Sequence, residues 1–426
     1  MAHRDRRGRP LVAVTGLGVV TSLGQGREDN WTALTAGRSG IHAINRFPTE
    51  ALRTTIAGTV DFVAAEPFCA PMLSERLAML AAEEAVGEAG AGRTGDFPGA
   101  LFIAVPPVEL EWPQRQALAE ASGQNDGVTY RDLLGAAATG RFKPWHDLFL
   151  FGTVADRIAD RFGTKGSPIS LSTACSSGAT AIQLGVEAIR RGETDAGLCI
   201  GTDGSVHAEA LIRFSLLSAL STHNDPPEAA AKPFAKNRDG FVMGEGAAAL
   251  VIENAEAARA RGAAILGYVL GCGERGDGFH RTRSSPDGAP IIAAIRDAIE
   301  DAGLTPDEID YVNAHGTGTP LNDAVETRAI KAVLGARAYA VPVSSTKSQV
   351  GHCLAAAGAI EALATLLAVR GGFLPPTVNL RQPDPECDLD YVPERSRPAA
   401  LRTVLSNSYG FGGNNTSVVL RGGIAA

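Results

Sequence analysis

The chain contains no C-x-x-C pair: Cys69, Cys175, Cys199, Cys272, Cys353 and Cys387 all stand alone. That spacing excludes the usual zinc sites. Scattered, reduced cysteines also fit the cytoplasm better than a disulfide-built secreted domain. Histidine is scarce, at 8 of 426 residues, so two at equivalent positions carry weight. Charged residues make up 20% with a net charge of −8, which argues against nucleic acid as a partner. No apolar run is expected to reach the ~18 residues of a membrane span. Arg4, Arg6, Arg7 and Arg9 precede the apolar Leu11–Val20 loosely as in a signal peptide. Gly16 and Gly18 interrupt that run, and Val12-Ala13-Val14 reads better as a first strand. No internal sequence repeat is visible.

What is present is a chain 45% hydrophobic with 49 glycines, enough to bury a large core with many tight turns. Strand-helix alternation runs from Leu11 to about Asn254, which indicates an α/β protein. The run Glu253 to Arg261 reads as a charged, alanine-rich connecting helix. A second start follows at Ile265–Leu270, leading to a helix over Ile291–Ala302 that is stopped by Gly303 and Pro306. The expected division is therefore 1–260 and 261–426.

Cys175 is the residue around which a function can be argued. It lies in Thr173-Ala174-Cys175-Ser176-Ser177, after the apolar Ile169-Ser170-Leu171 and before a helical pattern from Ala179 to Arg191. Strand, tight turn and helix put the thiol near a helix N-terminus, where free N–H groups and the dipole favour thiolate. His315 follows the strand-like Ile309–Val312, and His352 follows Val341–Ser344 and opens a long apolar helix, Cys353–Val369. Each histidine thus occupies a loop at the carboxyl end of a strand, where open α/β sheets place their sites. A cysteine with two histidines admits several chemistries, a cysteine protease among them. The tail Gly410-Phe411-Gly412-Gly413-Asn414-Asn415 separates them.

Taken together, Thr173–Ser177, Ala314–Pro320, Lys347–His352 and Gly410–Asn415 resemble the β-ketoacyl-acyl carrier protein synthases of the I/II type. A fifth segment, Asp239–Gly246, also resembles a signature of that family, and the likeness runs from Val12 to the last strand. The resemblance implies a thiolase-like fold, with two similar β-α layered halves forming an α-β-α-β-α core of five layers and the site between them. It implies a decarboxylating Claisen condensation in fatty acid elongation, with no cofactor or metal. An acyl chain passes from its carrier to Cys175, and malonyl-acyl carrier protein supplies the attacking carbanion. His315 and His352 become donors to the enolate, and the backbone N–H groups of Cys175 and Phe411 form the oxyanion hole. His352 at a helix start is expected to be held neutral by the dipole.

Lys347 and Glu361 are support residues under the resemblance, paired because a charge in an apolar helix is costly alone. Phe411 would gate the acyl pocket and Phe214 would line it. The implied partners are acyl carrier protein and a second copy of the chain. Arg76, Arg213, Arg281 and Arg283 are candidates for a basic docking patch.

The segment from Ala104 to Phe151 departs from the family pattern. Pro106-Pro107-Val108-Glu109-Leu110-Glu111-Trp112-Pro113 stands where relatives carry a glycine-rich stretch that builds the dimer contact and the end of the acyl pocket. Glu109-Leu110-Glu111-Trp112, together with Pro10–Val14, resembles a subgroup associated with specialised or very-long-chain acyl synthesis. A polyketide or nodulation-type ketosynthase would use the same residues on another primer. A non-catalytic chain-length-factor-like subunit would lack the cysteine that this chain retains.

Overall fold

A computed structural model describes residues 4–66, 68–92, 95–123 and 127–423. Residues 124–126 of the divergent segment lie outside the described residues. The first half contributes strands β1 (Val12–Thr21), β2 (Ala100–Ala104), β3 (Ile169–Leu171), β4 (Ala196–Asp203) and β5 (Gly246–Asn254). The second contributes β6 (Gly267–Gly276), β7 (Tyr311–Asn313), β8 (Val343–Ser344), β9 (Thr403–Tyr409) and β10 (Asn414–Gly422).

Their spatial order is β3-β2-β4-β5-β1 and then β6-β10-β9-β7-β8. Both halves follow one rule: the first strand pairs antiparallel with the fifth, the fifth antiparallel with the fourth, and the rest are parallel. The duplication that the sequence conceals is plain in the topology. The expectation of two sheets needs one amendment. Val12–Val14 pair with Gly267–Val269, so the halves join into a continuous ladder.

The helices occupy matching places. Two, α1 (Ala70–Ala89) and α2 (Ser177–Arg190), belong to the first half. Three more, α3 (Ala289–Asp301), α4 (Pro320–Leu334) and α5 (Leu354–Gly371), belong to the second. The central core cluster joins α2 and α5 to inward residues of both halves, Ala248, Leu250 and Ile252 on β5 and Val418 and Leu420 on β10. Alternate residues point outward, Ala247, Ala249 and Val251 to α1 and Val419 to α3. Strands buried on both faces explain the nearly continuous apolar runs. These are the five layers.

Gly16 and Gly18 do not end β1, which passes straight through them. A Cβ at Gly18 would lie 2.0 Å from the carbonyl oxygen of Ala81, and one at Gly16 2.0 Å from that of Ala85. Glycine there lets α1 sit directly on the strand. The inner helices meet in the same way: a Cβ at Gly178 or Gly358 would fall 2.5 Å from the backbone nitrogen of Ala359 or Ala179.

One reading from composition is corrected. Leu354–Gly371 has 18 residues and a mean hydropathy of 1.5, long and apolar enough to span a membrane. It is instead mostly buried, packed against α2 and both halves of the sheet. The divergent segment folds into helices at Trp112–Ala121, Tyr130–Ala138 and Lys143–Leu148. Glu111 turns inward and accepts a hydrogen bond from the Ala70 N–H (2.6 Å), capping α1.

Candidate active site

Cys175 sits in a 3-10 turn, Ala174–Ser176, between β3 and α2. The turn is tight enough that Ala174 adopts a left-handed φ of 50°, a strained position for a residue with a side chain. The Ser177 hydroxyl accepts from the Thr173 N–H (2.8 Å) and donates to the Ala174 carbonyl (2.5 Å), holding the turn closed. The Phe411 N–H points at the Cys175 thiol. Its loop comes that close because Gly410 has no side chain: a Cβ there would meet Thr173 O at 2.7 Å and Cys175 N at 3.3 Å. Gly413, at φ 87°, donates to Gly410 O (3.0 Å) and accepts from the Asp277 N–H (2.7 Å).

Burial pushes the Cys175 thiol up to about 11, against the smaller opposing pull of the Phe411 N–H and the Lys347 charge. Desolvation of the anion thus opposes the preference for thiolate that a helix N-terminus is expected to give.

The two histidines meet edge to face, with ring centroids 5.4 Å apart and planes at 84°. His315 lies just beyond β7, where Glu326 on α4 accepts from its backbone N–H and from that of Gly316 (2.8 Å each). His352 does not simply follow a strand. A one-turn helix, Lys347–Val350, intervenes, and His352 lies between it and α5. Its backbone is clamped by the Asp239–Gly246 segment: its N–H donates to Val242 O (2.7 Å), and its carbonyl accepts from the Gly244 N–H (3.0 Å). A Cβ at Gly244 would lie 2.3 Å from Val350 O, which gives that glycine-flanked motif a physical purpose.

Both imidazoles are held well below the usual histidine value, first by burial and then by the neighbouring Lys347 charge. They are neutral at physiological pH. The cause is desolvation and a nearby ammonium rather than the helix dipole alone. Lys347 Nζ stands 3.5 Å from His315 Nδ1 and forms an ion pair with Glu361 on α5. Both members are almost wholly buried, at 3% and 2% side-chain exposure. Neither ring nitrogen of His352 has a hydrogen-bond partner among the described residues. For a side chain 2% exposed that is unusual, because buried polar atoms are nearly always paired. A neutral imidazole has one donor and one acceptor nitrogen, so this ring can donate one hydrogen bond to an oxygen brought beside it.

Phe411 and Phe214 lie 6.4 Å apart between ring centroids. Phe241 completes the aromatic wall, 5.3 Å from Phe214 and 5.3 Å from the His352 ring. Sequence reasoning gave Phe241 no role of its own, although it sits inside the motif Asp239–Gly246. Glu326 and Asp203 were also missed. Asp203, at the end of β4, accepts from the Ala355 N–H at the start of α5 (3.0 Å) and from Ser205. Burial raises both carboxyls to about 7. Neither carries a local signal, because their backbone partners are remote or irregular.

A cavity of about 480 Å³ is walled by His315, Gly410 and Phe411 together with Arg281 and Arg283. Of the other proposed basic residues, Arg213 pairs with Glu109 (2.6 Å) and Arg76 does not line this cavity.

A cysteine on a strained strand-to-helix turn, a backbone donor aimed at its sulfur and two neutral imidazoles are groups that could support thiol-based acyl transfer on an α/β layered fold. Residues 10–258 match the N-terminal domain of β-ketoacyl synthases, and residues 266–381 match the C-terminal domain. The chain belongs to the β-ketoacyl synthase family of condensing enzymes, with the thiolase-like fold. It is 37% identical over 426 residues to 3-oxoacyl-(acyl-carrier-protein) synthase 2 of Coxiella burnetii, covering 96% of this chain and 98% of that protein. It is also 37% identical over 432 residues to the tetracenomycin polyketide synthase ketoacyl synthase alpha subunit of Streptomyces glaucescens, covering 98% and 97%. Among solved structures, it matches a type II polyketide acyl carrier protein in complex with its ketosynthase, bound to the hexaketide. That match has a TM-score of 0.84 and 31% identity, covering 97% of this chain and 100% of that one.

Proposed function

We propose that Cys175 carries an acyl chain as a thioester, and that the enolate formed when malonyl-acyl carrier protein loses carbon dioxide attacks it. The product is a β-ketoacyl-acyl carrier protein, and the setting is fatty acid chain elongation. The observation that carries this reading is the convergence of the Phe411 N–H on the Cys175 thiol beside two neutral histidines, one with both ring nitrogens open.

In the first half-reaction Cys175 gives up its proton and its sulfur attacks the incoming thioester. The N–H groups of Cys175 and Phe411 hold the oxyanion, and the carrier's thiolate leaves and takes up that proton. In the second, His315 and His352 donate to the enolate oxygen, and Cys175 leaves as thiolate when the new carbon–carbon bond forms. Each such donor is worth about 3–4 kcal/mol. Neutrality suits the role, since a neutral imidazole donates through one nitrogen without giving up its proton. Lys347, paired with Glu361, positions His315. Phe411 and Phe214 together form the wall an acyl chain would meet, with Phe411 as its gate.

The carrier-protein partner is supported by the neighbour solved with its acyl carrier protein and by Arg281 and Arg283 beside the cavity. A homodimer is supported by the open sheet edge at β3. There Ile169 is 44% exposed, and the Phe151 carbonyl accepts from the Ser170 hydroxyl (3.3 Å) while the Phe151 ring faces outward. The six free cysteines support a reducing, cytoplasmic setting.

A second reading, polyketide chain extension by the same residues, is favoured by the Streptomyces glaucescens relative at the same identity as the fatty acid one. Retention of Cys175, His315, His352 and Lys347 counts against a non-catalytic partner subunit. The deciding experiment is intact-mass analysis after mixing with acyl carrier proteins bearing straight chains of graded length, with Cys175→Ala as the blank. Single acylation of the wild type over a defined length window supports fatty acid elongation. Failure with every straight-chain primer moves the assignment to polyketide extension.

A further inference from the structure

At the end of the sheet remote from Cys175, two clefts meet at Arg6 and Arg421. Arg421, near the end of β10, lines both a cleft of about 310 Å³ and one of about 750 Å³. Strand β9 has seven residues, so this end lies about 20 Å from the Tyr409 end. The smaller cleft has an apolar floor of Leu11, Leu270 and Leu304 and carries Arg4, Arg6, Arg259 and Arg421. The carboxylate in its lining, Asp5, is spent elsewhere. It accepts from the backbone of Arg7 and Arg9 (2.9 Å each) and pairs with the Arg9 side chain (2.8 Å). The larger cleft adds Arg337 and Arg402 against Asp307, Glu308 and Asp310.

Several of these cations are already engaged. Arg6 pairs with Glu308 (2.7 Å), and Arg259 donates to the Tyr268 hydroxyl (3.0 Å). Arg4 donates to Gly8 O (2.6 Å), and Asp310 accepts from the backbone N–H groups of Arg402 and Thr403. Arg421 lies between the two clefts: its Nε donates to Thr403 Oγ1 (3.3 Å), and among the described residues it forms no ion pair. Burial, with Arg6 and Arg402 close by, lowers its pKa against the opposing pull of Glu308 and Asp310, carboxylates engaged by Arg6 and by the backbone of Arg402 and Thr403. A half-buried guanidinium crowded by like charges is costly without an anion, and its planar fork suits a carboxylate or phosphate.

We propose that the clefts flanking Arg421 bind an amphiphilic anion, with its carboxylate or phosphate head on Arg421 and its apolar chain on the Leu11, Leu270 and Leu304 floor. This site is independent of the reaction assigned to Cys175. A free acyl carboxylate and an alkyl or acyl phosphate share the required chemistry.

Titration calorimetry of the full chain at low salt tests it with decanoate, decyl phosphate, decanol and inorganic phosphate. At least one amphiphile binds the wild type, and Arg421→Gln weakens it tenfold or more. Arg4→Gln, an exposed change that spares the fold, weakens it severalfold. Tighter decanoate identifies a free acyl chain as the source; tighter decyl phosphate identifies a phosphate ester. Cys175 acylation by mass stays intact in Arg421→Gln, which separates this site from the proposed reaction. The proposal is overturned by unchanged affinity in Arg421→Gln, by no binding, or by decanol or inorganic phosphate binding as tightly as the amphiphiles.

Discussion

Lys347 Nζ stands 3.5 Å from His315 Nδ1 in the core of the protein, held there by Glu361 on a different helix. Burial first, and then an ammonium this close, hold the imidazole neutral, with Nδ1 as the nitrogen that faces the lysine. Removing the ammonium alone strands a buried carboxylate. Lys347→Met should destabilise the protein by about 3–5 kcal/mol, read from urea unfolding. Lys347→Met with Glu361→Leu should recover most of that loss while leaving condensation impaired. Recovery of full activity in the double variant would show that the lysine serves stability alone.

The two half-reactions should separate by mutation. Cys175→Ala is expected to lose condensation while still releasing carbon dioxide from malonyl-acyl carrier protein. His352→Ala should still take up an acyl chain on Cys175 but lose decarboxylation by about a hundred- to a thousandfold, the usual effect of deleting one oxyanion donor. Radiolabelled carbon dioxide release and intact mass read the two steps independently. Normal condensation by His352→Ala would remove that residue from the mechanism.

Thiol reactivity should follow the burial of Cys175. With the thiol raised to about 11, the thiolate fraction grows roughly tenfold per pH unit throughout the range from pH 7 to 10. Alkylation of Cys175 by iodoacetamide, followed by mass, should climb without a plateau across that window. A plateau near pH 8.5 would mean that the thiol behaves as an exposed one.

The loop of Phe411 acts through its backbone in the proposed oxyanion hole. Gly410→Ala forces a Cβ to within 2.7 Å of Thr173 O and should move the Phe411 N–H off the sulfur, slowing acylation about a hundredfold. Phe411→Ala keeps that N–H and should change chain-length preference more than rate. Equal losses in both variants would place the effect in the ring instead.

Gly18→Ala tests the seating of α1. The added Cβ would sit 2.0 Å from a backbone oxygen, which no side-chain movement relieves. A loss of about 3 kcal/mol or more is expected in thermal unfolding, with the same change at the unobstructed Gly87 as the harmless control.

Several features were legible in the residues themselves. Strand, turn and helix around Cys175 follow from local pattern, and so does the helix that ends before Gly303, whose φ is 65°. The positions of His315, His352, Lys347 and Phe411 were carried by short motifs whose glycines record close backbone approaches. Other features were beyond local reading. The glycines of β1 looked like interruptions because the helix they accommodate begins some fifty residues later. Leu354–Gly371 proves long and apolar enough for a membrane span, against the reading of the residues, and only the folded chain shows α2 and both halves of the sheet closed around it. Glu326 and Asp203 serve backbone N–H groups that only the folded chain brings near.

The sequence alone determined which groups are present and the local turns that present them, because propensity, periodicity and glycine placement act over a few residues. The tertiary structure decided their protonation. Burial raised the Cys175 thiol and kept both histidines neutral, against or beyond what a helix terminus would do, because desolvation depends on everything packed around a group. It also decided the repeated strand order of the two halves, which rests on pairings between distant segments.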